Sequence, residues 1–316
     1  MQSYRLQISP QSAFGTALLG DTLFGQLCWA MRNRYGEARL RELLEGYMAG
    51  NPFTVVSNAF PAGFVPRPLL PVIWFANIPD PERKAMKKKP WLPLAQVTTP
   101  LQAWLRYCQT DEESGAMAEI HHQPHNSISR LTGTTGGAGF DPYTMTQYWY
   151  NKGATLDIYL LLNDSRISAD DIETCLCDIG SFGFGRDASV GLGKFSIQLF
   201  DNIALPAHQN ANACLTLAPC APQALGFDAK RSFYQPFTRF GRHGDRGVHQ
   251  TGKPFKNPVL LAQAGAVFSA QPPETGFIGQ GVGGNGELSR AIEGTVHQGY
   301  SPVIPIHLPA RAEQST

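Results

Sequence analysis

The residues best suited to hold a charged ligand lie in one glycine-rich segment, GSFGFGRDASVGLGKF at positions 180–195. Its glycines allow the backbone to approach a ligand closely and to turn N–H groups outward, which forms an anion-binding nest. These are Gly183, Gly185, Gly191 and Gly193. Arg186 and Lys194 add positive charge and Ser189 adds a hydroxyl donor, a combination suited to phosphates. Asp187 is predicted to brace the turn, and a tight structural hairpin is the alternative interpretation.

Two nucleotide-binding motifs are excluded at this segment. Gly183 to Ala188 matches the GxGxxA spacing of dinucleotide-binding folds, but that motif follows a strand and opens a helix. Here the helix comes first and the strand second. A P-loop is excluded because Ala188 stands at the first required glycine and Phe195 at the Ser/Thr position. The nearby Phe182 and Phe184 are predicted to anchor the loop in the core.

Three histidines, His121, His122 and His125, precede Arg130 in a polar, glycine-rich stretch. A histidine near an arginine is the arrangement in which a metal-independent ribonuclease deprotonates a ribose 2′-OH. Pro124 breaks any helix that would align the three rings, so an exposed or RNA-contacting loop is favoured over catalysis. Donors for phosphate, 2′-OH or base edges follow at Arg130, Thr132, Thr134 and Thr135. A disordered polar loop is the alternative.

A second basic segment, residues 228–258, combines seven cations with interleaved aromatic rings. The cations are Lys230, Arg231, Arg239, Arg242, Arg246, Lys253 and Lys256, and the rings are Phe233, Tyr234, Phe237 and Phe240. This pattern is typical of single-stranded RNA binding, in which cations meet phosphates and rings stack on bases. The predicted RNA contacts here are Arg239, Arg242, Lys253 and Lys256. A loop whose rings pack inward is the competing interpretation.

Composition limits the functions this chain can have. Its 316 residues carry 26 Lys and Arg against 25 Asp and Glu, a net charge of +1, which excludes a uniformly basic nucleic-acid binder. No run of about 18 apolar residues exists, so no membrane partner is expected. Residues 1–12 lack the features of a signal peptide, and six cysteines without a CxxC pair indicate free thiols in a reducing cytoplasm. No metal or cofactor is predicted.

The periodicity of apolar residues predicts the elements that position these segments. In chain order they are a strand at 4–8, a helix that begins at Asp21 or Thr22 and ends at Gly36, a strand at 155–162, a helix at 169–179 capped by Ser168, and a strand at 195–200. This order is compatible with a split βαβ, ferredoxin-like domain. A change of composition near 201–212 divides the chain into domain 1–201, with an inserted thumb-like segment, and domain 202–316.

Six separate stretches carry a family resemblance. They are GDTLFGQLCWAMRNRYG (20–36), FVPRPLLP (64–71), NSISRLTGTTGG (126–137), GFGRDASVGLGKF (183–195), KPFKNPVLLAQAGAVF (253–268) and EGTVHQGYSPVIPI (293–306). In them the chain resembles the RAMP superfamily of CRISPR proteins, and more closely the five-type subunits, the fourth Csm subunits, of type III-A effector complexes. The resemblance implies an α+β fold of two ferredoxin-like (RRM-like) RAMP domains with a glycine-rich loop and long insertions. The glycine run 279–286 departs from the family pattern.

The same resemblance implies a non-catalytic role in a type III CRISPR ribonucleoprotein. Such subunits bind and cap the 5′ handle of the crRNA, and they link a large polymerase-like subunit with a palm domain to the backbone RAMP subunits. The glycine-rich segment would hold the handle, with Arg130 and residues 228–258 extending the track; target RNA is a further candidate partner. Two alternatives stay open: a metal-independent crRNA-processing endoribonuclease of the same superfamily, and an assembly subunit that contacts only proteins.

Overall fold

The computed structural model describes residues 1–75, 80–136, 139, 141–223, 225–244, 247 and 254–310. The α-helices of these residues are α1 (Gly20–Tyr35), α2 (Glu37–Leu44), α3 (Asp80–Lys87), α4 (Trp104–Tyr107) and α5 (Ala169–Phe182). The strands before residue 203 are β1 (Gln2–Pro10), β2 (Thr54–Pro61), β3 (Phe64–Pro66), β4 (Trp91–Pro93), β5 (Met117–His125), β6 (Tyr143–Tyr150), β7 (Leu156–Leu162) and β8 (Phe195–Asn202). The later strands are β9 (Ala213–Thr216), β10 (Pro236–Arg239), β11 (Val259–Ala262), β12 (Val267–Phe268), β13 (Phe277–Gly279), β14 (Val282–Gly283), β15 (Val296–His297) and β16 (Tyr300–Ile306).

The first sheet is antiparallel and has the strand order β2-β7-β1-β8. Its strands come from two β-α-β runs, β1-α1-β2 and β7-α5-β8. This is the arrangement of a split βαβ unit, the fold expected for the N-terminal part. Apolar residues of α1 and α5, such as Phe24 and Leu176, pack in one buried cluster with Leu6 and Ile158 of the sheet. The cluster therefore holds both helices on one face of the sheet.

The ends of the two long helices are fixed in different ways. Ser168 caps α5, as predicted, because its Oγ accepts the N–H of Asp171 at 3.1 Å. The predicted cap of α1 is wrong: the helix begins at Gly20, and the Gly20 N–H donates to Oδ1 of Asn58 at 2.8 Å. A side chain from β2 thus does the work of a local cap, which leaves Asp21 in the first turn for another partner.

The inserted segment forms a hairpin of β5 and β6 rather than the predicted loop. His121 faces Gln147 and His125 faces Tyr143 in its register. Pro124 is compatible with this strand because β5 lies at the edge of the hairpin, where a missing N–H is tolerated. The other edge is held by Phe14 of the β1–α1 connection, whose N–H and C=O both bond to Tyr148.

The described part of residues 202–310 contains strands and loops but no α-helix. Its main sheet is antiparallel with the order β12-β9-β16-β13, which differs from the order of the first sheet. The described part of these residues therefore has a four-stranded sheet, as expected for a second ferredoxin-like domain, but it lacks the helices of that fold. Short strands separated by glycine- and proline-bearing turns leave these residues no stretch with helical periodicity.

The two sheets meet along β2. Gln298 is fully buried, and its amide accepts the N–H of Val56 at 2.9 Å and donates to the Val56 C=O at 2.7 Å. Further along β2, the N–H of Asn58 donates to the C=O of Leu217. The boundary expected near residues 201–212 falls in the connection from β8 to β9. Because the two halves share a buried contact, independent domains at 1–201 and 202–316 stay a prediction.

Candidate nucleic-acid interface

One end of the first sheet gathers the segments singled out in the sequence. At this end Pro10, the last residue of β1, pairs with Phe195 of β8, and Pro61 of β2 pairs with Leu156 of β7. The β1–α1 connection at 11–19, the glycine-rich segment and the foot of the hairpin therefore lie next to one another. We call residues 183–194 the glycine loop.

The glycine loop has a tightly specified backbone. Positive φ angles occur at Gly183 (106°), Gly185 (77°), Gly191 (102°) and Gly193 (75°). Asp187 has φ 64° and is the only non-glycine residue in the described ranges with a positive φ. Its C=O accepts the N–H groups of Val190 and Leu192, and a 3-10 turn at Ala188–Val190 follows. The prediction that Asp187 braces the turn is confirmed.

Packing, rather than ligand access, explains three of the glycines. A Cβ at Gly183 would collide with the C=O of Leu192, and one at Gly193 would collide with the C=O of Phe184. A Cβ at Gly185 would lie 2.7 Å from Cβ of Thr16. Gly191 has open space around it and is required only for its φ angle.

Most amides of the glycine loop do not point outward as predicted. The N–H groups at 183, 184, 186 and 190–194 all donate within the protein, those of Gly193 and Lys194 to Ala13 and Ser12. The tight structural hairpin therefore accounts for most of these amides, because the fold uses the donors itself. In the described structure, the amides of Gly185, Asp187, Ala188 and Ser189 have no such bond, and they form the remaining cluster of N–H groups.

Some side chains of the glycine loop are bonded to neighbouring residues, and others are exposed to solvent. Arg186 is half-buried, its Nε lies 3.3 Å from Oδ2 of Asp187, and its Nη2 donates to the C=O of Thr146 on the hairpin. Ser189 and Lys194 are exposed. Phe184 is buried in the core as predicted, whereas Phe182 ends α5 on the outside and is 78% exposed.

The three histidines do not form a catalytic cluster. Side chains alternate along a strand, so His121 and His122 lie on opposite faces of the hairpin, and His121 and His125 are about 13 Å apart at the usual rise per residue. Nδ1 of His122 is 3.4 Å from Oγ1 of Thr146. The His125 ring stacks on Tyr143, with centroids 5.3 Å apart. The cluster in the sequence is therefore dispersed by strand geometry.

The predicted polar contacts after the histidines form the tip of the hairpin. These residues, Arg130, Thr132, Thr134 and Thr135, are all exposed. A compact turn holds them, with the Ser129 N–H donated to the Thr134 C=O and 2.9 Å between the hydroxyls of Thr132 and Thr134. They follow the last paired residues of the hairpin, beyond the strand position that Arg186 contacts. The tip therefore lies further along the hairpin than Thr146, the residue that the glycine loop contacts through Arg186.

Two of the predicted cations in residues 228–258 are turned inward. Arg239 makes a bidentate pair with the fully buried Asp21, at 2.6 and 3.0 Å. Lys256 is half-buried near Asp21 and Cys28, and burial lowers the pKa of its ammonium group. Arg239 links the C-terminal part to α1 through this ion pair, which is a structural role that the sequence pattern did not indicate.

The remaining cations of this segment differ in their surroundings. Arg242 is exposed and lies over the ring of Phe255, 5.8 Å from its centroid. Phe240 and Phe255 are exposed as well, while Phe233 packs inward against Trp74. Lys253 lies outside the described residues. The competing interpretation therefore holds for part of this segment, since some of its rings pack inward and others stay outside, and RNA binding by the exposed ones stays a prediction.

Sequence reasoning missed the buried cluster around Asp21. Burial disfavours the charged carboxylate, but the nearby His297 and Arg239 outweigh that effect and hold the pKa of Asp21 below its usual range. Nε2 of His297 lies 3.2 Å from Oδ2 of Asp21, outside hydrogen-bonding alignment. An acidic residue in the first turn of a helix is explained by the helix dipole alone. The sequence therefore offered no reason to expect the partners of Asp21, which lie more than 200 residues away.

The described residues contain neither a metal-binding cluster nor a membrane-spanning helix. No group of three His, Cys, Asp or Glu side chains is arranged to hold a metal ion. None of the described helices combines the length and apolar character needed to cross a membrane.

Comparison with known proteins gave matches at the level of structure. A scan against protein-family models found no match, and a search of curated proteins found none either. Among solved structures, a chain of the Csm1-Csm4 cassette in complex with pppApA matches with a TM-score of 0.59 and 16% identity, over 98% of this chain and 99% of that chain. A chain of the same cassette with cA4 gives a TM-score of 0.61 at 16% identity, with 98% and 99% coverage.

A different assembly contains a similar chain. The Csm3-Csm4 subcomplex of the type III-A CRISPR-Cas interference complex matches with a TM-score of 0.58 and 14% identity, over 97% of this chain and 100% of that chain. Csm4 is the component that the cassette and the subcomplex have in common. The comparisons and the first sheet together show that this chain shares the α+β fold of the matched chains from these Csm4-containing assemblies.

Proposed function

We propose that this chain is a non-catalytic, RNA-binding subunit of a type III CRISPR ribonucleoprotein and that it binds the 5′ handle of the crRNA. The observation that carries this proposal is the similarity of fold over almost the whole chain to chains from two type III-A assemblies that share Csm4. The other components of those assemblies are the candidate protein partners, a large Csm1-like subunit and a backbone Csm3-like subunit. The complex would assemble in the cytoplasm.

The chemistry of the glycine loop supports binding to an RNA backbone. Lys194 and Ser189 are exposed, and the unpaired amides at 187–189 lie beside Ser189. A cation, a hydroxyl and several N–H groups are the donors that proteins use for phosphate oxygens. Because the whole chain carries a net charge of only +1, binding depends on such local donors. Arg130 at the hairpin tip and Arg242 would extend this surface, and target RNA is a further candidate ligand at the tip.

The arrangement of histidines supports the non-catalytic part of the proposal. General acid–base cleavage needs two groups within reach of one scissile phosphate. His121 and His122 lie on opposite faces of the hairpin, and His125 is stacked on Tyr143. Incubation of the chain with repeat RNA in EDTA tests this point. Specific cleavage that is lost in His122→Ala or His125→Ala would favour the endoribonuclease instead.

A salt titration tests the proposed RNA site. For single strands, log Kd rises by about 0.7 per log of salt for each neutralised phosphate. If Arg186 and Lys194 each meet a phosphate, Arg186→Ala with Lys194→Ala reduces the slope by about 1.4. Arg41→Ala with Arg106→Ala is the matched control, since it removes the same charge from exposed positions on α2 and α4. Equal slopes for wild type and the Arg186/Lys194 variant would contradict the site.

Purification of the intact assembly tests the partners. A tagged chain expressed with the other subunits should co-purify with a large subunit, a backbone subunit and a short guide RNA, and it should crosslink to the 5′ end of that RNA. Companions without any RNA crosslink to this chain would favour the assembly subunit that contacts only proteins.

A further inference from the structure

A cavity of about 340 Å³ opens at the foot of the hairpin. Its aromatic walls are Trp91, Tyr148 and Tyr150, each half-buried, and its floor is apolar. Asn58, Arg67 and Asp111 are polar residues of its lining, and we call these three the polar rim. The volume falls within the range of small-ligand sites, which are typically apolar with a few placed polar groups.

Two chain segments join this cavity to the glycine loop. The hydroxyl of Thr16 accepts the N–H of Arg186, and the next residues, Ala17 to Leu19, line the cavity. On the hairpin, Thr146 binds the Arg186 guanidinium, and Tyr148 lines the cavity two residues further along the same strand. Two residues of strand span about 7 Å, so the cavity begins next to the proposed phosphate site.

A row of aromatic rings makes a third link. Phe184 of the glycine loop lies 6.5 Å from Phe14, and Phe14 meets Tyr150 edge to face at 5.5 Å. Phe14 is also the residue that pairs with the hairpin strand through Tyr148. The glycine loop and the cavity wall therefore belong to one packed unit.

We propose that this cavity takes one unstacked base of a single-stranded RNA whose backbone lies on the glycine loop. This inference rests on the proposed function and adds a base-binding subsite to it. A nucleobase is flat, has apolar faces and carries polar edges, which match the aromatic walls and the polar rim of the cavity. Side chains of this kind stack on splayed bases in other single-strand binders.

The polar rim is organised by the protein itself. Nε1 of Trp91 donates to Oδ1 of Asp111 at 2.7 Å, which fixes the indole plane in the wall. Oδ1 of Asn58 is occupied by the Gly20 N–H, so its amide is held in one orientation. Ring orientation is thus set before a ligand arrives, and such preorganisation reduces the entropy lost on binding.

An abasic scan with the full chain tests the proposal. A guide-handle RNA is made with a single abasic nucleotide at each position in turn, and its affinity is measured for wild type, Ala264→Trp and Ala17→Trp. Both alanines line the cavity from different connections, so tryptophan there fills it. Ala38→Trp, at an exposed position of α2, is the matched control.

We expect one abasic position to weaken binding to wild type by roughly 5- to 150-fold, the range for loss of one base stack. The filled variants should bind the intact RNA more weakly by a similar factor and should lose no more at that position. A scan without an outstanding position overturns the base site, and so do filled variants that bind like Ala38→Trp. Filled variants that keep RNA affinity but lose a protein companion would show that the cavity takes a protein side chain instead, which also overturns it.

These outcomes are separable from failure of the proposed function. If wild type binds the RNA with a steep salt dependence but the scan is flat, the cavity proposal alone fails. If wild type shows no salt-dependent affinity for the handle RNA, the proposed function fails and the base site falls with it.

Discussion

The glycine loop and the segment 228–258 show the same kinds of residues put to opposite uses. In the loop, Lys194 stays in solvent and the glycines let the backbone pack on its own neighbours. In the other segment, Arg239 is paired with the buried Asp21, and this ion pair holds two parts of the chain together, while Lys256 is half-buried. The position of a buried carboxylate, rather than the density of cations in the sequence, decides which basic residues remain available to a ligand.

The largest expected effect comes from Asp21→Asn. Removal of one partner from a buried ion pair leaves the charge of Arg239 uncompensated, so we expect a loss of about 3–5 kcal/mol in the free energy of unfolding. Asp187→Asn is the matched control, because its pair with Arg186 is partly exposed and contributes about 1 kcal/mol or less. Urea unfolding of both variants measures the difference, and equal losses would remove the contrast between the two regions.

A smaller effect separates two glycines of the same loop. Alanine at either position pays roughly 1–2 kcal/mol for a left-handed backbone. Gly193→Ala adds a collision with the Phe184 carbonyl, which overpacking data put at about 1–3 kcal/mol more, whereas Gly191→Ala meets open space. Urea unfolding of the two variants tests the assignment. A greater loss for Gly191→Ala would contradict the packing role of Gly193.

Acid titration sharpens the role of Asp21. Its pKa is lower in the folded chain than in the unfolded one, so the unfolded state binds the proton first and stability falls as the pH drops below about 4. This carboxyl alone contributes a fall of up to about 1.4 kcal/mol per pH unit. The gap in stability between wild type and Asp21→Asn should be complete above about pH 5 and narrow below about pH 4. A gap that stays constant to lower pH would mean that Asp21 is not charged in the fold.

The smallest expected effect is on RNA binding by single cations. Lys194→Gln should lower the salt slope by about 0.7, the value for one phosphate contact. Arg239→Gln should leave the slope unchanged, because its guanidinium is already bound to Asp21. Filter binding at several salt concentrations measures both, with circular dichroism to confirm that each variant is folded. An unchanged slope for Lys194→Gln together with a lower slope for Arg239→Gln would mean that residues 228–258, and not the glycine loop, contact the phosphates.

Local sequence signals predicted the elements of the first sheet. The features that the sequence did not predict depend on residues that are distant in sequence. Ser168 and Gly36 act within one helical turn, so their caps are visible in the sequence. Gly20 is capped by Asn58 from a different strand, which no local pattern reveals. Pro124 indicated a loop because the sequence does not tell that its strand lies at an edge.

The same distinction between local signals and partners distant in sequence applies to the candidate site. The sequence located the glycine loop and its cations, since glycine spacing is a local property. It did not reveal that Ser12, Ala13 and Thr16 would use the amides of the loop, because those contacts bring together residues about 170–180 positions apart. Nor did it reveal the cavity, whose walls come from connections and strands throughout the N-terminal part and from Ala264.

Gln298 has a consequence for how the first sheet can grow. Its amide bonds to both the N–H and the C=O of Val56, and the N–H of Asn58 donates to the C=O of Leu217. Because these groups of β2 are already bonded within the chain, a further strand cannot pair with them. The strand order leaves β8 at the opposite margin. Any extension of this sheet by a further strand is therefore one-sided, and it would start beside the loop that carries Lys194.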